Sequence, residues 1–240
     1  MHQHYRTKGI VLSKRDSGEA DQIFILYTQD FGKIEVVGRA IRKITSKLRA
    51  GIDVFYFIEL EFIQGKKQKT LTDAIITDKF SETRKNPGAL SLIIKISEIM
   101  CRLTIKEQSD ENVWNLLFGV FQKIENCLKI ENCKLKIIYY HFAWNLLAIL
   151  GYSPELYTCP VCAKKLLPEI FFLSPEHGGV ICGKCCDFPA QEITVGAVKL
   201  IRFFIKEPIE KVERLNILEK DLQNLNQAFT AYFDFLVEKG

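Results

Sequence analysis

The sequence predicts an α+β protein in two parts. Residues 1–80 form a small β-barrel, and residues 81–240 form an α-helical domain with a zinc-binding insertion at about 157–190. Three observations predict this. The apolar period is two as far as about residue 80 and becomes 3.6 from Pro87 onward. The formal charge of +4 lies wholly within the first 80 residues, and the remainder balances to zero. Two Cys-x-x-Cys pairs, Cys159/Cys162 and Cys182/Cys185, interrupt the helical part. A chain that is 48% hydrophobic and 26% charged can bury a core, which excludes disorder as its main state. No stretch offers the about 18–20 apolar residues of a membrane span. Met1-His2-Gln3-His4-Tyr5-Arg6 has no apolar run behind its charge, unlike a signal peptide, so a cytoplasmic protein is expected.

Five runs rich in Ile, Val, Phe, Tyr and Thr read as strands: Thr7–Ser13, Gln22–Thr28, Lys33–Arg39, Ile52–Ile63 and Thr70–Thr77. Asp16-Ser17-Gly18, Gln29-Asp30-Phe31-Gly32 and Gln64-Gly65-Lys66 mark turns between them. Five short strands in so short a span suit an OB-fold or an SH3-like barrel. In the fourth run Val54, Tyr56, Ile58, Leu60 and Phe62 share one parity and face the core. The opposite parity carries Phe55 and Phe57, which either stack on nucleic-acid bases or pack against the rest of the chain.

The charge excess concentrates between residues 33 and 49. Lys33, Arg39, Arg42, Lys43, Lys47 and Arg49 face only Glu35 there. Such a cluster can be a solvated loop, but in a small β domain it suits a polyanion such as nucleic acid. The candidate contacts are Arg39, Arg42, Lys43, Lys47 and Arg49, with Lys14, Arg15 and Lys33 in a second tier.

In the helical part, Leu90–Leu103 is broadly apolar and is expected mid-bundle. Val113, Leu116, Leu117, Val120, Phe121 and Ile124 form one stripe, with Ser109 as the expected N-cap. A further helix runs from about Asn132 to Leu150 and closes at Gly151. Leu215, Leu218, Leu222, Leu225, Phe229, Tyr232 and Leu236 form a heptad seam, which serves bundle packing or a partner.

Cys101, Cys127 and Cys133 sit in helical pattern as small buried hydrophobes. The two Cys-x-x-Cys hooks lie nineteen residues apart, the spacing of a four-cysteine zinc site. Disulfides are the competing reading, and the lack of a secretion signal argues against them. Cys186 adjoins Cys185 and could exchange with it by a register slip, and His177 could replace one sulfur. Four thiolates saturate a zinc ion and leave no open position for water, so the single zinc reads as structural. The motifs of zinc peptidases, nucleobase deaminases, P-loop enzymes and dinucleotide-binding enzymes are absent from the sequence.

Several strings resemble the RecO family of bacterial recombination mediators and DNA-repair proteins. In the barrel they are Gly9-Ile10-Val11-Leu12, Gly18-Glu19-Ala20-Asp21, Tyr27-Thr28 with Gly32-Lys33-Ile34, Gly38-Arg39 and Ser46-Lys47. Further on they are Leu150-Gly151-Tyr152-Ser153-Pro154-Glu155-Leu156, the Cys159–Cys162 hook, and Gly178-Gly179-Val180-Ile181-Cys182. One departure is Val54 before Phe55, where the family commonly has proline. The resemblance implies an N-terminal OB-fold and a helical domain with a zinc-finger element, and no metabolic catalysis. It implies binding of single- and double-stranded DNA and annealing of complementary strands. It also implies action with RecR, and with the acidic tail of the single-stranded-DNA-binding protein, to load RecA. Membrane attachment is not expected, and the chain by itself is expected to be a monomer at the nucleoid. Two other readings fit the residues: an OB-fold/zinc-ribbon RNA-binding protein, and a zinc-supported enzyme acting on nucleic acid.

Overall fold

The computed structural model describes residues 3–129, 134–168, 170–186 and 190–239. The chain divides into two compact units, Met1–Leu135 and Lys136–Gly240.

In the first unit, β1 (Gln3–Ser17), β2 (Asp21–Thr28), β3 (Gly32–Gly38), β4 (Phe57–Gln64) and β5 (Lys69–Asp78) close a barrel in the order β1-β2-β3-β5-β4. The long β1 makes closure possible. Its residues 3–10 pair with β4 and its residues 9–17 with β2, with a register shift between Val11 and Ser13 where it bends. β3 and β5 are parallel, Val36 opposite Lys69, while the other pairings are antiparallel. This is an OB-like topology. Alternate residues of each strand fill the interior: Val11, Phe24, Leu26, Ile34, Val36, Ile58, Leu60 and Phe62 are buried together.

The fourth strand starts five residues later than the sequence suggests. Ile52–Tyr56 is not strand, because Phe55 takes a left-handed backbone (φ +63°). The Phe55 N–H donates to the Val11 carbonyl at 2.7 Å, and the Val11 N–H donates to the Tyr56 carbonyl at 3.0 Å. These bonds hold the turn against β1 and still let Val54 and Tyr56 pack on the core.

The same unit contains α1 (Ser81–Lys85), α2 (Pro87–Leu103) and α3 (Glu111–Cys127). α2 buries Ile93, Ile96, Ile99 and Met100 but leaves Ile94 half-exposed, so it is one-sided rather than central. α3 is capped one residue later than expected. The Asp110 carboxylate, not Ser109, accepts from the N–H groups of Asn112 and Val113. Glu125 on α3, itself buried, accepts from the N–H groups of Glu82 and Thr83 and from the Thr83 hydroxyl, all within 3.0 Å. It thereby caps α1 from outside. Gly32 has φ +62°, and a Cβ there would lie 2.0 Å from the Gln108 carbonyl oxygen. The β2–β3 turn therefore requires glycine twice over, for conformation and for space. Of the three helical cysteines, Cys101 is half-buried, Cys127 is disulfide-bonded rather than a free hydrophobe, and Cys133 lies outside the described residues.

In the second unit, α4 (Leu135–Ile149) is the helix buried almost all round, with Ile138, Phe142, Trp144, Leu146 and Leu147 at 1% exposure or less. The expected start at Asn132 lies outside the described residues. The end is as expected. Gly151 is left-handed (φ +82°), and the N–H groups of Gly151 and Tyr152 bond to the carbonyls of Ala148 and Leu147. Next come a three-stranded sheet of β6 (Phe171–Ser174), β7 (Gly179–Cys182) and β8 (Gln191–Ile193), then α5 (Val195–Lys206), α6 (Ile209–Val212) and α7 (Glu219–Lys239). The seam of α7 packs inside the unit: Phe229 and Tyr232 meet the Trp144 ring at 5.7 and 6.2 Å. Its first two members, Leu215 and Leu218, precede the helix, and Leu218 is exposed. Among the described residues no helix is long and apolar enough to cross a membrane.

Candidate functional site

The two Cys-x-x-Cys hooks meet. One sulfur from each of Cys159, Cys162, Cys182 and Cys185 lies within 4.8 Å of the others. All four thiols are free, and Cys162 Sγ and Cys182 Sγ are 3.9 Å apart. That is far beyond a disulfide's about 2.05 Å. It is near the about 3.8 Å that separates sulfurs on a tetrahedral ion with bonds of about 2.3 Å. The donor set thus fits a metal ion.

Local bonds build each hook. The Cys159 N–H donates to the Lys164 carbonyl and the Ala163 N–H to the Cys159 carbonyl, both at 2.8 Å, with Ala163 left-handed (φ +57°). The Cys185 N–H closes the second turn on the Cys182 carbonyl at 3.0 Å. The Glu155 carboxylate accepts from the N–H groups of Thr158 and Tyr157, which hold its pKa down and order the approach to the first hook. The Glu155 backbone bonds to Gly178 and Val180, and a Cβ on Gly179 would sit 2.4 Å from the Glu155 oxygen. Arg202 of α5 donates to the Leu156 carbonyl and stacks 4.5 Å from the Tyr157 ring centroid.

Burial disfavours a thiolate at Cys159, but hydrogen bonds from the backbone at Cys182, Cys162 and Val161 outweigh it and bring the pKa down to about 6. Hydrogen bonding with the sulfurs of Cys182 and Cys162 pushes Cys185 up to about 12. One sulfur takes charge readily and a neighbour resists it, as expected where four acidic groups crowd one point. His177 lies in the β6–β7 turn with Nδ1 2.8 Å from the Ser174 hydroxyl, and neither it nor Cys186 joins the four-sulfur group.

The basic residues part company in the structure. Arg39, Arg42, Lys43, Lys47 and Arg49 all stand exposed on the β3–β4 connection. Arg42 pairs with Asp16 at 3.3 Å, whereas Arg39, Lys43, Lys47 and Arg49 have no ion pair among the described residues. Lys14 is bound to Asp53 at 2.6 Å, and Arg15 reaches Glu35 at 3.7 Å.

Lys33 is a correction to the second tier. It is buried, its ammonium donates to the Cys101 carbonyl near the end of α2, and burial holds its pKa below the ordinary lysine value. Of the two readings given for Phe57, the structure shows packing against the rest of the chain. Phe57 is 7% exposed, and its ring lies 4.8 Å from Phe118 and 6.1 Å from Trp114 of α3, so it packs on a helix and is closed to bases. Phe55 is half-buried in the left-handed turn.

Beside this connection lies a cleft of about 610 Å³ whose lining includes Lys14, Arg42, Arg49, Asp53 and Tyr56. Tyr56 carries the Arg84 guanidinium 4.9 Å and the Lys79 ammonium 5.9 Å from its ring centroid. Arg84 also donates to the Val54 carbonyl at 2.7 Å. Sequence parity placed Tyr56 toward the core, against which it does pack, partly buried. The aromatic residue followed by distant cations gave no local signal of this stack.

Barrel, helices and cysteine module together define an OB-barrel protein with a second, helical unit that carries a hook pair able to hold a metal ion. The description "Recombination protein O N terminal" matches residues 1–80, and "Recombination protein O C terminal" matches residues 84–240. The chain therefore belongs to the RecO family. Among its relatives is the DNA repair protein RecO of Dehalococcoides mccartyi, 32% identical over 236 residues, covering 98% of this chain and 91% of the relative. The DNA repair protein RecO of a Roseiflexus species is 27% identical over 237 residues, covering 98% and 82%. That of Alkaliphilus metalliredigens is 26% identical over 229 residues, covering 95% and 91%.

Proposed function

We propose that this protein is a recombination mediator in DNA gap repair: it binds single- and double-stranded DNA, anneals complementary strands and breaks no bond. The observation that carries the reading is the β3–β4 connection, where Arg39, Lys43, Lys47 and Arg49 stand exposed and, among the described residues, free of ion pairs on an OB-like barrel. A surface of unpaired cations attracts phosphates without reading sequence. It also lowers the repulsion between two strands that must meet, which is what annealing requires. Residues 1–80 act as the nucleic-acid domain and residues 81–240 as the helical domain in this proposal.

The four cysteines hold one structural Zn²⁺, which joins the two hooks of a module too small to fold on apolar burial alone. The partners proposed are RecR, the acidic tail of the single-stranded-DNA-binding protein and, through them, RecA, in the cytoplasm at the nucleoid. The test is an annealing assay with two complementary labelled oligonucleotides, run at low and high salt. Acceleration by the protein that fades with salt supports the proposal. No acceleration overturns it, and acceleration confined to RNA strands points to the RNA-binding alternative.

A further inference from the structure

We infer that the cleft beneath the β3–β4 connection takes a single unpaired nucleotide, with its base beside Tyr56 and its phosphate between Arg42 and Arg49. The inference rests on the proposed nucleic-acid function and names the part of the strand that this one place receives. A cleft of about 610 Å³ falls within the about 300–1,000 Å³ of small-ligand pockets. A flat loop that merely collects phosphates needs no such concavity.

The chemistry of the walls points the same way. Ile41 and Ile52, 2% and 4% exposed, belong to the barrel core and only close the floor, so the lining is largely polar and the aromatic contact comes from Tyr56. Tyr56 offers an aromatic surface whose position is fixed by Arg84, itself anchored on the Val54 carbonyl. Gln22, whose amide nitrogen donates to Asp16 at 2.9 Å, brings a carbonyl oxygen able to accept from a base edge. The rim carries three cations, Lys14, Arg42 and Arg49, against one carboxylate, Asp53.

That carboxylate is already engaged, by Lys14 at 2.6 Å and by Arg84 at 3.5 Å. Arg42 is held by Asp16 at 3.3 Å in an exposed pair that a phosphate can displace at little cost. Arg49 has no ion pair among the described residues. A ligand with a flat aromatic part for Tyr56, polar edges for the polar lining and one negative charge for the cations matches this set, and a nucleotide has all three. A base within a duplex is stacked and paired, and it cannot enter.

The test compares three labelled probes by fluorescence anisotropy at one salt concentration: a short oligodeoxythymidylate, an abasic strand of equal length, and a duplex. The native protein is expected to bind the base-bearing strand about tenfold more tightly than the abasic one. Two variants remove the cleft without touching its charges. Tyr56→Leu deletes the aromatic wall, and Ala50→Leu narrows the cleft from an exposed position where folding tolerates change. In both, the base preference should fall to near parity while duplex affinity holds. Equal binding of the two single strands by the native protein, or a preference that survives Ala50→Leu, overturns the cleft and leaves the DNA reading standing. Failure to bind any of the three probes overturns the DNA reading itself.

Discussion

The barrel and the four-cysteine module are both β structures, yet they are stabilised by different means. The barrel strands run for seven to fifteen residues and enclose a continuous set of fully buried side chains, among them Val11, Leu26, Ile58 and Leu60 at 0% exposure. The module's strands run for three or four residues, and its buried apolar set is short: Phe171, Leu173, Val180, Ile181 and Ile193. An apolar core grows with the volume enclosed, so a closed barrel supports itself. Three short strands do not, and four sulfurs placed to hold one ion would supply a link that packing cannot. The difference also separates two roles. The self-supporting barrel can carry unpaired charge on an outer loop, whereas in the module the reactive groups are its framework.

The sharpest way to break this contrast is to remove the metal that the four cysteines are proposed to hold. Cys182→Ser, or exhaustive chelation, should cost the module a term on the order of 10 kcal/mol of apparent binding energy. Hydrogen exchange is expected to show the amides of β6 and β7 losing protection while those of β2 and β3 keep theirs. Equal loss in both regions would mean that the barrel too depends on the ion.

The converse perturbation is Phe24→Ala. This ring is 1% exposed in the barrel core, and its truncation should cost about 3–5 kcal/mol in denaturant unfolding of the first unit. Chelator should leave that cost unchanged.

A smaller effect sharpens the picture of the first unit. Three hydrogen bonds to Glu125 outweigh its burial, which acts the other way, and set its pKa below the ordinary 4.5. A folded pKa below the unfolded one stabilises above the unfolded value, and the gain disappears as pH falls through the folded one. Glu125→Gln should therefore cost about 1.5–3 kcal/mol near neutral pH and almost nothing in strong acid. A penalty that persists unchanged at low pH would show that shape, rather than charge, caps α1.

Features set by nearby residues were legible in the sequence, and features set across the fold were not. Runs rich in Ile, Val, Phe, Tyr and Thr, bounded by turn signals, located β2 and β3 to within a residue, because such side chains suit a strand and turn residues end it. The hook spacing located four ligating sulfurs, since two intervening residues let a pair reach one ion. The start of β4 was missed because Phe55 takes its left-handed turn from bonds to Val11, more than forty residues away. Lys33 looked like one more surface cation, because charge ordinarily predicts exposure. Its burial depends on a carbonyl at Cys101 that no local pattern announces. Ser109 and Asp110 are both good caps, and nothing in their order says which one turns its side chain inward.

The central claim is that the β3–β4 connection is the DNA surface, and a salt titration tests it most directly. Binding of labelled single-stranded DNA would be measured by anisotropy over a range of salt, for the native protein and for Arg42→Glu combined with Lys43→Glu and Lys47→Glu. Lys33→Met, a change to a buried cation, serves as the control. The triple variant should bind more weakly, with a log–log salt slope shallower by about 0.7 for each phosphate it no longer neutralises, and Lys33→Met should match the native protein. A triple variant with native affinity and native slope would contradict the claim and place the DNA surface elsewhere on the molecule.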